Sequence, residues 1–508
     1  MIPAAFFFAA LLLHALTSAR YGYFRDELYF IACSKHLAWG YVDQPPLVAV
    51  LAWLAAPAGY APVALRALPI LAAAATVYLA IRLAGELGGG RFAQALAGVA
   101  TLLTPAYLLL GNTLTTTSVE PFFWTLAMYI AIRIVRAPDA QARRWWMLLA
   151  VAVAAGAYAK YSIVLPAAGV LIGFAVLPER RVLRSPWPLY SLALALALLA
   201  PNIAWQASHG WPFFEVLRGN SAHRPAFANG IALESYSLFL NARDFAIEQL
   251  LYTNPIAVPV WLAGLIAPFR IRALRDLRFV TIAYAFGFIV AVALFAKGYY
   301  IVGFYAALFA IGAVAFERAA ASVRIALLVA VIGVGIVALP FSIPVLTVDR
   351  LVAYSRFLGL TGRGGSPAHL VQPVFAEEFG WDRLASDVAS VYFALPPAER
   401  NRTAIYADTY GDAGALDFFG PRHGLPPAIS SQNNYYLWGT RGYDGRTLIA
   451  IGATRIDRLR AFYRSVTLAT TSTAPYKWVV EGPDPIYILR GPIAPLPLIW
   501  PALRWYGT

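Results

Sequence analysis

Tyr21-Gly-Tyr-Phe-Arg-Asp-Glu-Leu-Tyr-Phe30, followed by Gly40-Tyr-Val-Asp-Gln-Pro-Pro-Leu47, is the first interruption of a strongly apolar sequence and lies just beyond its first membrane-length segment. It sets two adjacent carboxylates, Asp26 and Glu27, and a third, Asp43, among Tyr, Trp and Pro residues. A carboxylate beside a bilayer is costly unless it meets water, a partner or a ligand. An ordinary solvated loop is the plain reading. The density of aromatic and proline residues around the acids, and matching polar groups elsewhere in the chain, argue for a built site.

The surrounding sequence is that of a polytopic membrane protein. Of 508 residues, 60% are hydrophobic and only 13% charged, with a mean hydropathy of +0.62, which repeated apolar runs explain and one soluble core does not. Eleven segments are expected to cross the membrane: 2–19, 62–84, 93–110, 118–135, 145–159, 161–177, 187–204, 254–269, 279–296, 299–316 and 322–342. The first lacks a basic leader and reads as a retained helix, not a secretory signal. Cys33 is the lone cysteine, so no intrachain disulfide and no Cys/His metal-ligand spacing exist.

The net charge of +14 does not point to nucleic acid, because the arginines gather in short links between apolar segments. With the amino terminus in the cytoplasm, alternation assigns Arg91, then Arg136, Arg143 and Arg144, then Arg180, Arg181 and Arg184, then Arg270 to Arg278, then Arg318 and Arg324 to the cytoplasmic side. This satisfies the positive-inside rule; Arg20, Arg25 and Lys35 run against it. The same alternation places the Asp26–Asp43 loop, the 112–120 link, Lys160, the 205–252 loop, Lys297 and everything after Ser342 on the outer face.

Beyond Ile343 the character changes. Thr403–Ala407, Thr447–Ile451 and Tyr476–Val480 read as strands, and Glu377–Ala394 and Arg455–Val466 as helices, which together suggest a small α/β domain. Pro495–Trp505 is too short and proline-broken for a span and is expected on the membrane surface or in the domain. The division expected is 1–342 for the membrane domain and 343–508 for an extracytoplasmic α/β domain.

Asp26 stands about one turn beyond the first span, where a carboxylate can take a proton from a hydroxyl or bind a cation that neutralises phosphate. Glu27 points elsewhere, since neighbouring residues diverge. Asp43 precedes Pro45-Pro46, whose fixed φ angles hold the acid in place and start an interfacial helix. Glu120, before Pro121, opens the fourth span, with Ser118 as the expected cap. Lys160 and Lys297 are cations at membrane depth and need a carboxylate or an anionic ligand, although a lysine can also snorkel to the interface. The loop Pro201–Pro212 adds Asn202 and His209 to tryptophans that an interfacial belt explains.

Asp26-Glu27 after the first helix, Gly40–Leu47, Thr116-Thr-Ser-Val-Glu-Pro-Phe-Phe123, Ala157-Tyr-Ala-Lys160, Pro201–Pro212 and Lys297-Gly-Tyr-Tyr300 together resemble the family 39 and ArnT-like glycosyltransferases, GT-C fold enzymes that include the protein O-mannosyltransferases. The resemblance spans about residues 1–320. It implies an integral-membrane enzyme that moves a sugar, with inversion, from a polyprenyl-phosphate carrier to a lipid, glycan or protein acceptor on the outer face of a bacterial inner membrane. Carried over by position, Asp26 matches the catalytic acid pair of the first outer loop, Asp43 the second acid before the proline pair and Lys297 the lysine before the tyrosine pair; with Glu120 these acids are the expected catalytic residues, and Glu27, Gln44, Lys160, His209, Lys297, Tyr299 and Tyr300 the expected substrate contacts. Gln44 departs from the His or Lys often found before the proline pair, and Glu120 stands where many relatives have Asp. A divalent metal at Asp26 and Asp43 is left open. The stretches Tyr410–Pro421, Gly424–Pro427 and Asn433–Trp438 resemble the soluble tails of bacterial members. The alternatives are a transporter or flippase of lipid-linked sugars, whose polar groups would lie near mid-membrane, and a non-catalytic glycan-binding scaffold.

Overall fold

The computed structural model describes residues 1–222, 238–362, 367–452, 456–477 and 483–507. The chain divides into two compact units, one made of Met1–Ser18, Arg66–Trp205 and Ser221–Val345, the other of Ala19–Leu65, Gln206–Asn220 and Leu346–Thr508. A single cut after residue 342 was expected. Hydropathy marks where composition changes, but it does not reveal that the first polar loop folds with the carboxy-terminal chain.

The first unit is helical. Ala67–Glu86, Trp187–Ser208, Arg272–Ala293, Gly298–Phe316 and Ala321–Phe341 are each long and apolar enough to cross a membrane. Arg91–Leu102 with Pro105–Gly111, Tyr161–Val176 with Pro178–Arg184, and Leu238–Tyr252 with Pro255–Arg270 meet that test only as pairs, bent by 61°, 107° and 99°. All eleven expected spans are helical, but five to eight, not eleven, qualify by length and composition among the described residues. Ile2–Thr17 and Glu120–Arg136 are too short, and Arg143 and Arg144 lower the mean hydropathy of Ala142–Ala159.

The bends have local causes. Thr104 is extended before Pro105, because proline disfavours helical backbone in the residue before it. Asn254 takes a left-handed φ of 64°, accepts from Ile256 N at 3.1 Å and donates to Val331 O at 3.1 Å. Two arginine-rich links meet where Arg136 grips Asp276 through both carboxylate oxygens at 2.6 and 2.9 Å. Two more meet where Gly90 N donates to Glu317. Glu120 opens the helix that ends at Arg136, so it lies at the opposite end of that helix from the arginine links.

Helices Val258–Arg270 and Tyr305–Phe316 come together at glycines: a Cβ on Gly264 would strike the Leu308 carbonyl, and one on Gly312 the Val260 carbonyl. Small residues permit such backbone contact where dispersion, not water, drives helix association. Buried polar groups around it are paired, as a low-dielectric interior requires. Tyr107 OH donates to Val302 O at 2.6 Å, Tyr305 OH to Gln249 Oε1 at 3.0 Å, and Gln249 Nε2 to Gly298 O at 3.0 Å. These bonds fix the turn Gly298–Phe304, which carries Tyr299 and Tyr300.

The second unit contains a four-stranded sheet of order β1-β2-β4-β3, with β1 Thr403–Ala407, β2 Thr447–Ile451, β3 Tyr463–Ser472 and β4 Asp484–Pro492. β1 and β2 are parallel and the other pairings antiparallel. β1 and β2 match the sequence reading. The expected helix at Arg455–Val466 is only Ile456–Arg460, after which β3 begins, and Arg455 lies outside the described residues. The expected strand at Tyr476–Val480 is a turn at Tyr476 and Lys477, and its remainder lies outside the described residues. Pro495–Trp505 contains the helix Leu496–Leu503, whose Leu496, Ile499, Trp500 and Leu503 are buried in the core on the sheet. Helix Tyr410–Phe419 follows β1 and packs against helix Arg25–Ser34.

Replacing Gly312 with Val should destabilise the protein by about 2 kcal/mol or more through overpacking against a backbone carbonyl. Thermal unfolding in detergent tests this. A melting temperature equal to the wild type would contradict the close helix contact.

Candidate functional site

Polar side chains of interest fall into two clusters, one in each unit. In the second unit, helix Arg25–Ser34 starts after an extended Phe24, and Glu27 Oε2 accepts from Phe24 N at 2.9 Å. Glu27 is fully buried; it caps its own helix, where a substrate contact was expected. Asp26, in the same first turn, keeps 26% of its side chain exposed and accepts from Tyr410 OH at 2.9 Å on Oδ1. Arg25 lies 3.6 Å from that oxygen, pairs with Glu377 at 3.2 Å and spreads over the Tyr410 ring at 5.5 Å.

Asp43 is more tightly held. Tyr29 OH donates to its Oδ1 at 2.9 Å, Asn433 Nδ2 to its Oδ2 at 3.0 Å and Asn434 Nδ2 to Oδ1 at 3.4 Å. The Tyr29 and Tyr410 rings lie 4.7 Å apart, so each acid is held by one member of a packed tyrosine pair. Burial raises the Asp43 pKa to about 7, hydrogen bonds from Tyr29 and Asn433 oppose the rise, and the charge of Asp26 adds to it. Burial also drives the Tyr410 phenol well above its ordinary value, with Arg25 opposing.

Gln44 is buried, its amide directed at Cys33 Sγ at 3.7 Å, so it points inward where a substrate contact was expected. His209 is exposed at the end of helix Trp187–Ser208, with Nδ1 3.1 Å from Ser208 Oγ.

In the first unit, helix Ala142–Ala159 ends at an extended Lys160, whose Nζ lies 3.6 Å from Glu120 Oε2 and donates to Thr117 Oγ1 at 2.9 Å. Ser162 donates to the other Glu120 oxygen. The ammonium also sits over Tyr300 at 3.9 Å and Tyr299 at 5.3 Å. Lys160 thus has the carboxylate partner its depth demands. Lys297 is exposed and precedes the Tyr299-Tyr300 turn, with no ion-pair partner among the described residues. Ser118 is not the helix cap: it accepts from Thr115 N at 2.8 Å and donates to Thr113 O at 2.6 Å, shaping the preceding turn.

Among the described residues no group of three or more His, Cys, Asp or Glu side chains could hold a metal ion. Both Asp43 oxygens already accept hydrogen bonds from a phenol or an amide.

The sequence reading missed Tyr29, Tyr410, Asn433, Asn434, Thr117 and Ser162. None carries a charge to single it out; Tyr410, Asn433 and Asn434 lie in stretches that resemble the soluble tails of bacterial members.

Two results are expected. Because Asp43 titrates higher folded than its ordinary 3.8, the folded state binds the extra proton between about pH 4 and 7, and this residue's contribution to stability falls as pH rises through that window. Asp43→Asn should flatten that part of the stability–pH curve; an unchanged slope contradicts the assignment. Lys160→Met alone should cost about 3 kcal/mol or more, because it strands the buried Glu120, and Lys160→Met with Glu120→Gln should cost less. A double variant less stable than the single one would contradict the pairing.

A family model described as dolichyl-phosphate-mannose-protein mannosyltransferase matches residues 43–205. The structure is similar to that of ArnT from Cupriavidus metallidurans in the apo state, with a TM-score of 0.60 at 16% identity over 96% of this chain and 99% of that one. It is also similar to ArnT from the same organism bound to undecaprenyl phosphate, with a TM-score of 0.56, 16% identity and the same 96% and 99% coverage. Comparison with curated protein sequences recovers no relative. The chain shares the GT-C fold of ArnT.

Proposed function

We propose that the chain is an integral-membrane glycosyltransferase that moves a sugar from a polyprenyl-phosphate carrier to a hydroxyl of a lipid, glycan or protein acceptor. The observation that carries the reading is the contrast between two partly exposed neighbouring acids: Asp26 is held through one oxygen, whereas Asp43 is held through both. Asp26 is thus the carboxylate an acceptor can reach. Undecaprenyl phosphate, bound by the ArnT of similar fold, supports the donor class, as does the mannosyltransferase family match.

In the proposed reaction Asp26 takes the acceptor hydroxyl proton as that oxygen bonds to the anomeric carbon, and the carbon–phosphate oxygen bond breaks from the opposite face. The sugar is transferred with inversion and polyprenyl phosphate leaves as an anion. Lys297 is exposed, with no ion-pair partner among the described residues, which suits it to an anionic ligand. Lys160, already paired with Glu120, orders the tyrosine pair beside Lys297. An apolar cavity of about 130 Å³ in the first unit, lined in part by Met128, Trp146, Val170 and Leu192, is suited to a segment of alkyl chain. A bacterial inner membrane with the site on its periplasmic face is part of this proposal, supported by the distribution of arginines. Glu120 and Lys160 stand at helix ends and not mid-span, which disfavours a transport pathway.

In a transfer assay with reconstituted protein, Asp26→Asn should lower kcat by about 100-fold or more with donor KM little changed. A folded Asp26→Asn protein that works at the wild-type rate would overturn the mechanism.

A further inference from the structure

The donors that hold Asp43 come from opposite ends of the second unit's sequence and belong to one connected network. Asn434 Oδ1 accepts from Val42 N at 3.2 Å, while its Nδ2 donates to Tyr29 OH at 2.6 Å and faces Asp43 at 3.4 Å. One amide thus fixes the backbone just before the acid, the phenol that donates to it and the carboxyl itself. Asn433 holds a left-handed φ of 47°, a conformation that Asn adopts more readily than other non-glycine residues, and neighbouring hydrogen bonds hold it there.

Those surroundings are the end of the chain. Asn433 N donates to Trp505 O at 2.9 Å, and its Oδ1 accepts from Gly507 N at 3.1 Å. Gln432 donates to Gly507 O at 2.8 Å and accepts from Tyr410 N at 2.7 Å, and Tyr410 OH reaches Asp26. Gln432, Asn433 and Asn434 are all buried. In such a network each bond polarises and orients the next, so the terminal segment sets the geometry of both acids.

We propose that Asn433 and Asn434 are positioning residues of the transfer site: anchored by the final residues of the chain, they hold the Asp43 carboxyl in one orientation beside Asp26. The carboxy-terminal segment therefore completes the site and is not an accessory domain. This inference rests on the transferase reading for its consequence in catalysis, and on the hydrogen-bond geometry for its existence. A purely structural role would need the amides only to tie the loop to the domain. Here both side chains aim a donor at the same carboxylate.

The test uses the full-length protein in liposomes, with undecaprenyl-phosphate mannose and undecaprenyl-phosphate aminoarabinose as donor probes and a membrane lipid extract as acceptor. Asn433→Gly keeps the left-handed backbone and removes the amide. Asn434→Ala, within helix Asn433–Trp438, serves if the first variant fails to fold. Each should lower kcat by about 10- to 100-fold with donor KM within about threefold, as expected when the group supporting the reacting carboxylate is misplaced. In an Asp43→Asn background the same substitutions should cost less than about twofold, because residues that act through one another are not additive. Equal losses in both backgrounds, or an unchanged kcat, would overturn the proposal. An infrared measurement separates it from the functional reading. The carboxyl band lost in Asp43→Asn should shift in Asn433→Gly and Asn434→Ala, and an unmoved band overturns positioning whether or not transfer occurs. A wild-type protein that consumes neither donor contradicts the transferase reading alone.

Discussion

The approach of helix Tyr410–Phe419 to the backbone of helix Arg25–Ser34 is the contact from which the carboxylate site follows. It depends on Gly414: a Cβ there would lie 2.7 to 2.9 Å from the main chain of Leu28 and Tyr29, closer than any side chain tolerates. With glycine the two helices meet, Tyr410 reaches Asp26, and its ring packs on Tyr29, which in turn reaches Asp43. The orientation of Tyr410–Phe419 is set at its start, where Thr409 Oγ1 accepts from Asp412 N at 3.1 Å just after β1 ends. A parallel strand, a capped helix and one glycine thus place the first loop's acids.

Two carboxylates in one low-dielectric neighbourhood disfavour each other's charge. The structure answers this by treating them unequally. Asp43 is held through both carboxylate oxygens, and burial lifts its pKa to about 7, while Asp26 lies in the first turn of a helix, where the backbone dipole favours negative charge, and is held through one oxygen. Paired acids in unlike environments are a general means of separating a base from a supporting group. The first unit solves a different problem: its one deep lysine meets a carboxylate, a hydroxyl and two aromatic faces, which offset the cost of holding an ammonium at membrane depth.

The helical unit was legible because long apolar runs and arginine-rich links are strong signals. β1 and β2, buried along their whole length, were legible for the same reason. β3 was not: most of its residues are exposed and threonine-rich, so neither hydropathy nor alternation marks it. Asp26, Asp43 and Lys160 stood out as charges in an apolar chain. Glu27 and Gln44 stood out as polar neighbours of those acids, but a capping bond and an inward-facing amide give them structural work. Asn433 and Asn434 left no charge signal, and their contacts with the first loop bridge some 390 positions, a separation that local pattern cannot resolve.

The most direct test follows a lipid-linked sugar through the wild-type protein in sealed liposomes, measuring released polyprenyl phosphate together with the anomeric configuration of the product. Transfer by the proposed route gives one polyprenyl phosphate per glycosidic bond formed, with inverted configuration. Retained configuration, or passage of the intact lipid-linked sugar across the bilayer without cleavage, would contradict it.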